Sequence, residues 1–101
     1  MVTQVNELAR LLKSISHPIR LKILCLLQDQ EMSVGEIREQ VQTTGANVTQ
    51  HLNILRNQGI IDYRKDANYI YNRISDQRIT ELISVLNALF CKTGKAGSRE
   101  Q

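Results

Sequence analysis

The chain has 101 residues, enough for one domain with a modest core, and its 13 basic and 10 acidic residues give a net charge of +3. This mild positive charge is compatible with a nucleic-acid partner but does not by itself require one. No run of residues has the length of a membrane span or the pattern of a signal peptide, so we expect a cytoplasmic protein that does not bind a membrane.

Two amphipathic helices are predicted in the first part of the chain. The first covers residues 3–15, where apolar side chains recur at heptad-like spacing on one face. Proline is well placed in a first helical turn, so Pro18 indicates that a second helix begins there and runs to about Gln28. The apolar stripes are Val5, Leu8, Leu12 and Ile15 in the first helix, and Ile19, Ile23, Leu26 and Leu27 in the second.

The stretch 33–59 predicts two short helices joined by a polar turn. Ser33 and Glu36 have the spacing of a capping box, in which each side chain accepts a hydrogen bond from the backbone amide of the other residue. Thr44 offers a second N-cap hydroxyl, and Gly59 can end the second helix in a left-handed conformation. The buried stripes are predicted to be Val34, Ile37 and Val41 in the first of these helices, and Val48, Leu52 and Leu55 in the second.

The face of the second of these helices that points away from its buried stripe carries almost no charge. At about 100° per residue, this face gathers amides, a hydroxyl and a methyl group. Amide side chains pair with adenine in a major groove and a methyl group contacts thymine, so the face suits base edges. An ordinary solvated helix face is the alternative, although such a face usually carries lysine and glutamate. The face comprises Ala46, Thr49, Gln50, Asn53 and Asn57, with Asn47 at its margin.

A β-hairpin is predicted after Gly59. Residues 60–65 and 69–74 are rich in β-branched and aromatic side chains, and the polar segment 66–68 suits a turn between them. A helix-turn-helix followed by a hairpin is the element order of a winged helix, in which the second helix enters the major groove and basic hairpin residues reach phosphates. A purely structural hairpin is the alternative. The basic residues available are Arg64, Lys65 and Arg73.

A last helix is predicted at about 76–91, and it is more apolar than a small monomeric domain requires. We therefore expect it to build a symmetric homodimer interface with the first helix, rather than only to cover the core of the monomer. The predicted fold class is mainly α with a β-hairpin wing, a winged helix-turn-helix of order α-α-α-α-β-β-α over residues 1–92. Residues 93–101 are expected to be a disordered tail. The apolar residues of the last helix are Ile79, Leu82, Ile83, Leu86 and Phe90, flanked by Val85, Ala88 and Leu89.

The two cysteines, Cys25 and Cys91, permit two interpretations. Free cysteines are commonly small buried apolar residues, and a reducing cytosol disfavours a permanent disulfide. Helical geometry, however, places Cys25 away from the apolar stripe of its helix and Cys91 to the side of its own stripe. Both helices lie near the predicted dimer interface, which is compatible with a regulatory pair. The residues alone leave both interpretations open.

The segments HPIRLKILCLL, MSVGEI, TQHLNILRNQGII and NYIYNRIS, in this order, resemble the arsenic-repressor (ArsR) family of bacterial winged-helix regulators, over about residues 5–91. The resemblance implies a homodimer that binds an imperfect palindrome in double-stranded operator DNA and releases it when an inducer is sensed. For His51, a structural role against the preceding helix is the alternative to DNA contact. The DNA-contacting positions implied are Thr44, Ala46, Asn47, Thr49, Gln50 and His51 in the recognition helix, and Arg64 and Lys65 in the wing.

Departures from the metal sensors of this family bear on the inducer. Some relatives carry a cysteine pair in the helix before the recognition helix, where this chain has SVGEI, and the last helix lacks the histidine-containing ligand set of zinc sensors. Two cysteines alone make an incomplete zinc site, so we expect no metal and no cofactor. The contexts ILCLL and LFCK resemble instead the family members that use a cysteine pair as a dithiol sensor of persulfides, sulfide-derived species or oxidants. This resemblance implies that Cys25 and Cys91 are the sensing pair.

The sequence therefore predicts a repressor that releases DNA when Cys25 and Cys91 are linked by reactive sulfur species or oxidants. A thiophilic metal or metalloid sensor that uses the same cysteines is the alternative within the family. A protein-interaction winged helix that binds no DNA is an alternative of a different class. An enzyme is not expected, because no nucleophile, acid and base set accompanies His17 and His51.

Overall fold

In the computed structural model, the chain forms five α-helices and one small antiparallel sheet within the described residues. The structure describes the backbone of residues 2–91 and the side chains of residues 3–90. The predicted disordered tail, residues 93–101, and the side chain of Cys91 lie outside these described residues. The elements are α1 (Val2–Ile15), α2 (Pro18–Leu26), β1 (Met32–Ser33), α3 (Val34–Val41), α4 (Gly45–Asn57), β2 (Ile61–Asp66), β3 (Tyr69–Ile74) and α5 (Gln77–Leu86), followed by a π-helical turn (Asn87–Cys91).

Local signals in the sequence fix the ends of α3 and α4. The Ser33 hydroxyl accepts a hydrogen bond from the Glu36 amide at 3.2 Å, and Glu36 Oε1 accepts one from the Ser33 amide at 2.9 Å, so the predicted capping box is confirmed. The hydroxyl of Thr44 caps α4 by accepting from the Asn47 amide at 3.0 Å. Gly59, with a φ of +75°, turns the chain away from α4 in the left-handed conformation that glycine adopts without strain.

The apolar stripes of α2 to α5 meet in one core. Each fully buried aliphatic side chain in it contributes about 1.5–3 kcal/mol to stability. Because α4 is anchored along its inner side, its opposite side must face outward. The fully buried aliphatic residues are Ile23, Leu24, Ile37, Val48, Leu52, Leu55, Ile60, Ile61, Ile79 and Ile83.

The sheet has one strand more than the predicted hairpin. β2 and β3 pair along their whole length, from Ile61 with Ile74 to Asp66 with Tyr69, so Ala67 and Asn68 form the turn. β1 adds to the other side of β3, so the strand order is β1-β3-β2 and the element order is α-α-β-α-α-β-β-α. A strand of two residues is too short to show alternation in a sequence, and it forms only because β3 offers it a partner. β1 ties the wing to the start of α3.

Two apolar helix faces remain at the surface of the described chain. In α1, Leu8 is 53% exposed and Leu12 is 44% exposed, whereas Ile15 at the end of the same stripe is buried. Near the end of the described chain, Leu89 is 64% exposed and Phe90 is 77% exposed. Contiguous apolar faces of this kind are typical of surfaces that another molecule covers.

Candidate nucleic-acid interface and cysteine region

Four of the predicted base-contacting side chains lie together on the outer side of α4. They follow the helical spacing i, i+3, i+4 and i+7, which brings them to one side of the helix. None of them is ionised, so they can meet base edges without the cost of desolvating a charge. This surface, called the reading face below, consists of Ala46, Thr49, Gln50 and Asn53, all exposed.

Two further predicted residues, at the start of α4, are engaged in local hydrogen bonds. Thr44 is exposed, but its hydroxyl serves as the cap that accepts from the Asn47 amide. Asn47 is half-buried, and its Nδ2 donates to the Thr43 hydroxyl at 3.0 Å. These bonds order the first turn of α4, where the positive end of the helix dipole favours a nearby phosphate.

Arg56 joins α4 to the wing, a role that sequence reasoning did not assign to it. Its Nη1 donates to Asn53 Oδ1 at 2.7 Å, and its Nη2 donates to Asn72 Oδ1 at 2.9 Å. The guanidinium carbon also lies 4.7 Å from the centroid of the Tyr63 ring. One feature of the sequence could have drawn attention to this residue: Arg56 is the only Lys, Arg, Asp or Glu within residues 40–61.

His51 does not lie on the reading face. It is 7% exposed, its ring centroid is 4.4 Å from that of His17, and Arg20 Nη1 donates to its Nδ1 at 3.2 Å. His17 in turn caps α2, because its Nδ1 accepts from the Ile19 amide at 3.1 Å. The structure therefore places His51 against the start of α2, largely buried between α4 and α2.

Acid should destabilise the protein through His51. Burial, and then the nearby charges of His17 and Arg20, lower the pKa of His51 below its ordinary value of 6.5. Between that ordinary value and the lowered one, the unfolded chain binds more protons than the folded chain, so stability falls as the pH falls through this window. The slope from one such group is at most about 1.4 kcal/mol per pH unit. Urea unfolding at pH 7.5 and pH 5.5 measures the free energy of unfolding at each pH. Between the two pH values this free energy should fall more in the wild type than in His51→Gln, and an equal fall would contradict this assignment.

The two predicted wing cations differ in their surroundings. The guanidinium of Arg64 forms a bidentate pair with Glu31, at 2.8 Å from Nη2 to Oε1 and 3.0 Å from Nε to Oε2, and lies 5.0 Å from the Tyr71 ring centroid. These hydrogen bonds hold the pKa of Glu31 below its ordinary value. Lys65 is exposed near the tip of the hairpin. A phosphate would therefore compete with Glu31 for Arg64, whereas Lys65 is more directly available.

Cys25 lies where α2 meets the end of the described chain. It is exposed, and its Sγ donates to Asn87 Oδ1 at 3.7 Å. Asn87 opens the π-helical turn that ends at Cys91, whose side chain is outside the described residues. Beside Cys25 lies an apolar cavity of about 280 Å³, lined by Leu21, Cys25, Ile83, Leu86, Asn87 and Phe90.

No three His, Cys, Asp or Glu side chains within residues 3–90 stand close enough together to hold a metal ion. Among the helices of residues 2–91, none combines the length and the apolar character that crossing a lipid bilayer requires.

The sequence matches known bacterial regulators over nearly its whole length. The family model described as "Bacterial regulatory protein, arsR family" matches residues 17–63. The "Biofilm growth-associated repressor" of Xylella fastidiosa is 36% identical over 95 residues, which cover 94% of this chain and 83% of the relative. The "Transcriptional activator HlyU" of Vibrio cholerae is 34% identical over 85 residues, which cover 84% of this chain and 79% of that relative.

Solved structures of the same group superpose closely. The structure of reduced HlyU from Vibrio cholerae gives a TM-score of 0.87 at 33% identity, covering 91% of this chain and 97% of that one. The transcriptional repressor BigR from Xylella fastidiosa gives a TM-score of 0.84 at 35% identity, covering 92% and 95% of the two chains. The similarity thus includes the helix-turn-helix, the wing and the helices on either side.

Proposed function

The chain belongs to the arsR family of bacterial regulatory proteins, whose matched members are transcriptional regulators and not enzymes, and from this we propose a specific mode of action. The protein is a homodimeric repressor that binds palindromic operator DNA in its reduced form. It releases the DNA when Cys25 and Cys91 become linked by a reactive sulfur species or an oxidant. The observation that carries the DNA-binding part is the exposed, uncharged reading face on a helix whose other side is fixed in the core.

The reading face suits the major groove in both shape and chemistry. A major groove admits an α-helix, and its base edges present donors, acceptors and the thymine methyl group. Gln50 and Asn53 supply amides, Thr49 a hydroxyl and Ala46 a methyl group. The exposed Lys65 lies on the adjoining hairpin, from which a cation can reach the phosphate backbone.

A second copy of the chain is the partner that best explains the exposed apolar faces. Palindromic DNA requires a two-fold dimer with its reading faces about 34 Å apart. Leu8 and Leu12 of α1, and Leu89 and Phe90 at the other end, are exposed apolar residues on helices outside the reading face. In a two-fold interface each copy covers the same patch of the other, so these faces could be buried without hiding α4.

The position of Cys25 supports its pairing with Cys91. The contact between Cys25 and Asn87 brings α2 to the π-helical turn, and Cys91 is four residues beyond Asn87 in that turn. Four helical residues rise about 6 Å, roughly one turn of helix. A disulfide needs two Cα atoms about 4.4–6.8 Å apart, and the contact with Asn87 brings Cys25 to the turn that contains Cys91.

The proposed reaction with a persulfide donor, RSSH, is a two-electron oxidation of the thiol pair. One cysteine thiolate attacks the outer sulfur of RSSH, which gives a cysteine persulfide and releases the thiol RSH. The second thiolate attacks the inner sulfur of that persulfide, which forms the Cys25–Cys91 disulfide and releases hydrogen sulfide. The two cysteines are oxidised and the transferred sulfur is reduced to sulfide. Capture of a further sulfur atom before ring closure gives a polysulfide link instead.

The link acts on DNA binding through the geometry of the dimer. It would tie α2 to the terminal turn, beside Phe90, which we assign to the dimer interface. A small rotation between subunits changes the separation of the two reading faces, so both can no longer enter successive major grooves. A coupling of about 1–3 kcal/mol is typical and corresponds to a loss of affinity of about 5- to 150-fold.

Binding of the reduced protein to DNA from upstream of its own gene tests the DNA-binding part. Gln50→Ala should weaken binding about tenfold, since it removes an amide that contacts a base edge. Gln40→Ala, which removes the same exposed side chain from α3, is the matched control and should bind like the wild type. Affinity should also fall steeply with salt, because phosphate contacts release counterions. Equal affinities of the two variants, or no binding by the wild type, would contradict the proposal.

A further inference from the structure

Arg56 holds the side chain of Asn53 in one orientation. The Nη1–H of Arg56 donates to Asn53 Oδ1 at 2.7 Å. A guanidinium has only donors, so the group that faces it must be the amide oxygen, and the amide nitrogen of Asn53 is then turned away from Arg56. Asn53 is exposed on the reading face, so its amino group is the end available to a ligand.

Arg56 is itself fixed from the other side by the wing. Its Nη2 donates to the oxygen of Asn72, a residue of β3 that is fully buried. Asn72 is fixed in turn, since its Nδ2 donates to the carbonyl oxygen of Met32 in β1 at 3.3 Å. The stacking on Tyr63 of β2 restrains the plane of the guanidinium. The orientation of Asn53 is therefore set by residues from all three strands.

We propose that Arg56 is a positioning residue for sequence recognition, which makes Asn53 a hydrogen-bond donor towards DNA. This inference rests on the proposed DNA-binding function and adds to it the base preference at one position. Guanine, adenine and thymine each present an acceptor in the major groove, whereas cytosine presents only its N4 amino donor. An amide held with its amino group outward can donate to guanine, adenine or thymine. Against cytosine, two hydrogen-bond donors would face each other. The Asn53 position therefore rejects cytosine.

Removal of Arg56 should relax this rejection without removing the side chain that contacts the base. A free asparagine amide can turn by about 180° and present its oxygen, which accepts from cytosine N4. Conversely, Asn53→Asp keeps an oxygen for Arg56 and replaces the outward donor with an acceptor. Carboxylates accept from cytosine N4, so this variant should prefer the base that the wild type rejects.

The test measures binding of each reduced dimer to upstream fragments in which every base of one half-site is replaced by each of the other three. Asn53→Ala first identifies the contacted position, as the one where base discrimination disappears. At this position the wild type should bind the cytosine fragment about tenfold or more weakly than the best fragment. The affinities of Arg56→Leu for the four fragments should differ by less than about threefold, and Asn53→Asp should bind the cytosine fragment best. Because each variant is compared with itself across bases, a uniform change in affinity or charge does not affect the result.

A charge control and the binding of the wild type separate a failure of this inference from a failure of the proposed function. Arg78→Leu, which removes an exposed arginine from α5, controls for the lost charge and should keep the wild-type preference. The rejection of cytosine by the wild type itself depends on the fixed orientation of the Asn53 amide, so it tests the inference even if Arg56→Leu does not fold. A wild type that does not reject cytosine, an unchanged base preference in Arg56→Leu, or no position affected by Asn53→Ala overturns the inference alone. Failure of the wild type to bind any fragment overturns the inference and the proposed function together.

Discussion

Replacing Leu8 with glutamate should separate the dimer into monomers and abolish operator binding. Leu8 is 53% exposed in the single chain, so the substitution removes little from the core of the monomer. In the proposed dimer each copy would bury one new carboxylate in the apolar interface, at a cost of several kcal/mol. The dimer dissociation constant should rise about 100-fold or more. Sedimentation equilibrium gives the association state, and fluorescence anisotropy with labelled upstream DNA gives the binding.

Asn6→Glu is the matched control for this prediction. It makes the same change in charge, on the same helix, at an exposed position about 130° around the helix from the apolar stripe. We expect Asn6→Glu to remain dimeric and to bind DNA. A dimeric Leu8→Glu protein, or two variants that dissociate alike, would show that the exposed face of α1 is not the interface.

Cys25→Ser should bind the operator as the wild type does and should fail to release it when a persulfide donor is added. Serine is nearly isosteric and keeps a donor for Asn87 Oδ1, so the fold and the reduced form should be retained. The wild type should lose about 5- to 150-fold in affinity, whereas the affinities of Cys25→Ser and Cys91→Ser should change less than about twofold. Lys22→Ala, an exposed substitution in α2 that keeps both thiols, is the control and should respond like the wild type.

The same titration separates a sulfur sensor from a metal or metalloid sensor. Arsenite, zinc and the persulfide donor are added in parallel to the reduced wild type. Release by the persulfide donor alone agrees with the two-thiol proposal. Release by arsenite or zinc without release by the persulfide donor would contradict it, as would a normal persulfide response in either cysteine variant.

Features that depend on neighbours in the sequence could be predicted from it. The capping box of Ser33 and Glu36, the glycine stop at Gly59 and the buried stripe of α4 each depend on residues within about two helical turns. The reading face follows from the same stripe, because whatever lies opposite a buried stripe faces outward. Helical periodicity also indicated that Cys25 lies away from the apolar stripe of its helix, and the structure places Cys25 at the surface.

Features that depend on contacts distant in sequence could not be predicted. The two-residue strand β1 exists because β3 pairs with it, and the role of Arg56 requires Asn72 to come into reach through the hairpin register. His51 lies at the margin of the buried stripe of α4, where periodicity alone does not decide whether the side chain is buried or exposed. The ring of His17 and the side chain of Arg20 decide it, and they come from outside α4.

The most direct test of thiol-controlled DNA release compares the reduced dimer with the same dimer after persulfide treatment, on one labelled upstream fragment. Peptide mass spectrometry first establishes that the treated protein carries a link between Cys25 and Cys91 within one chain. We expect salt-sensitive binding by the reduced dimer and a several-fold to about 150-fold weaker affinity of the linked dimer, with binding restored by a reducing agent. A linked dimer that binds as tightly as the reduced one, or a treated protein in which the two cysteines cannot be joined, would contradict it.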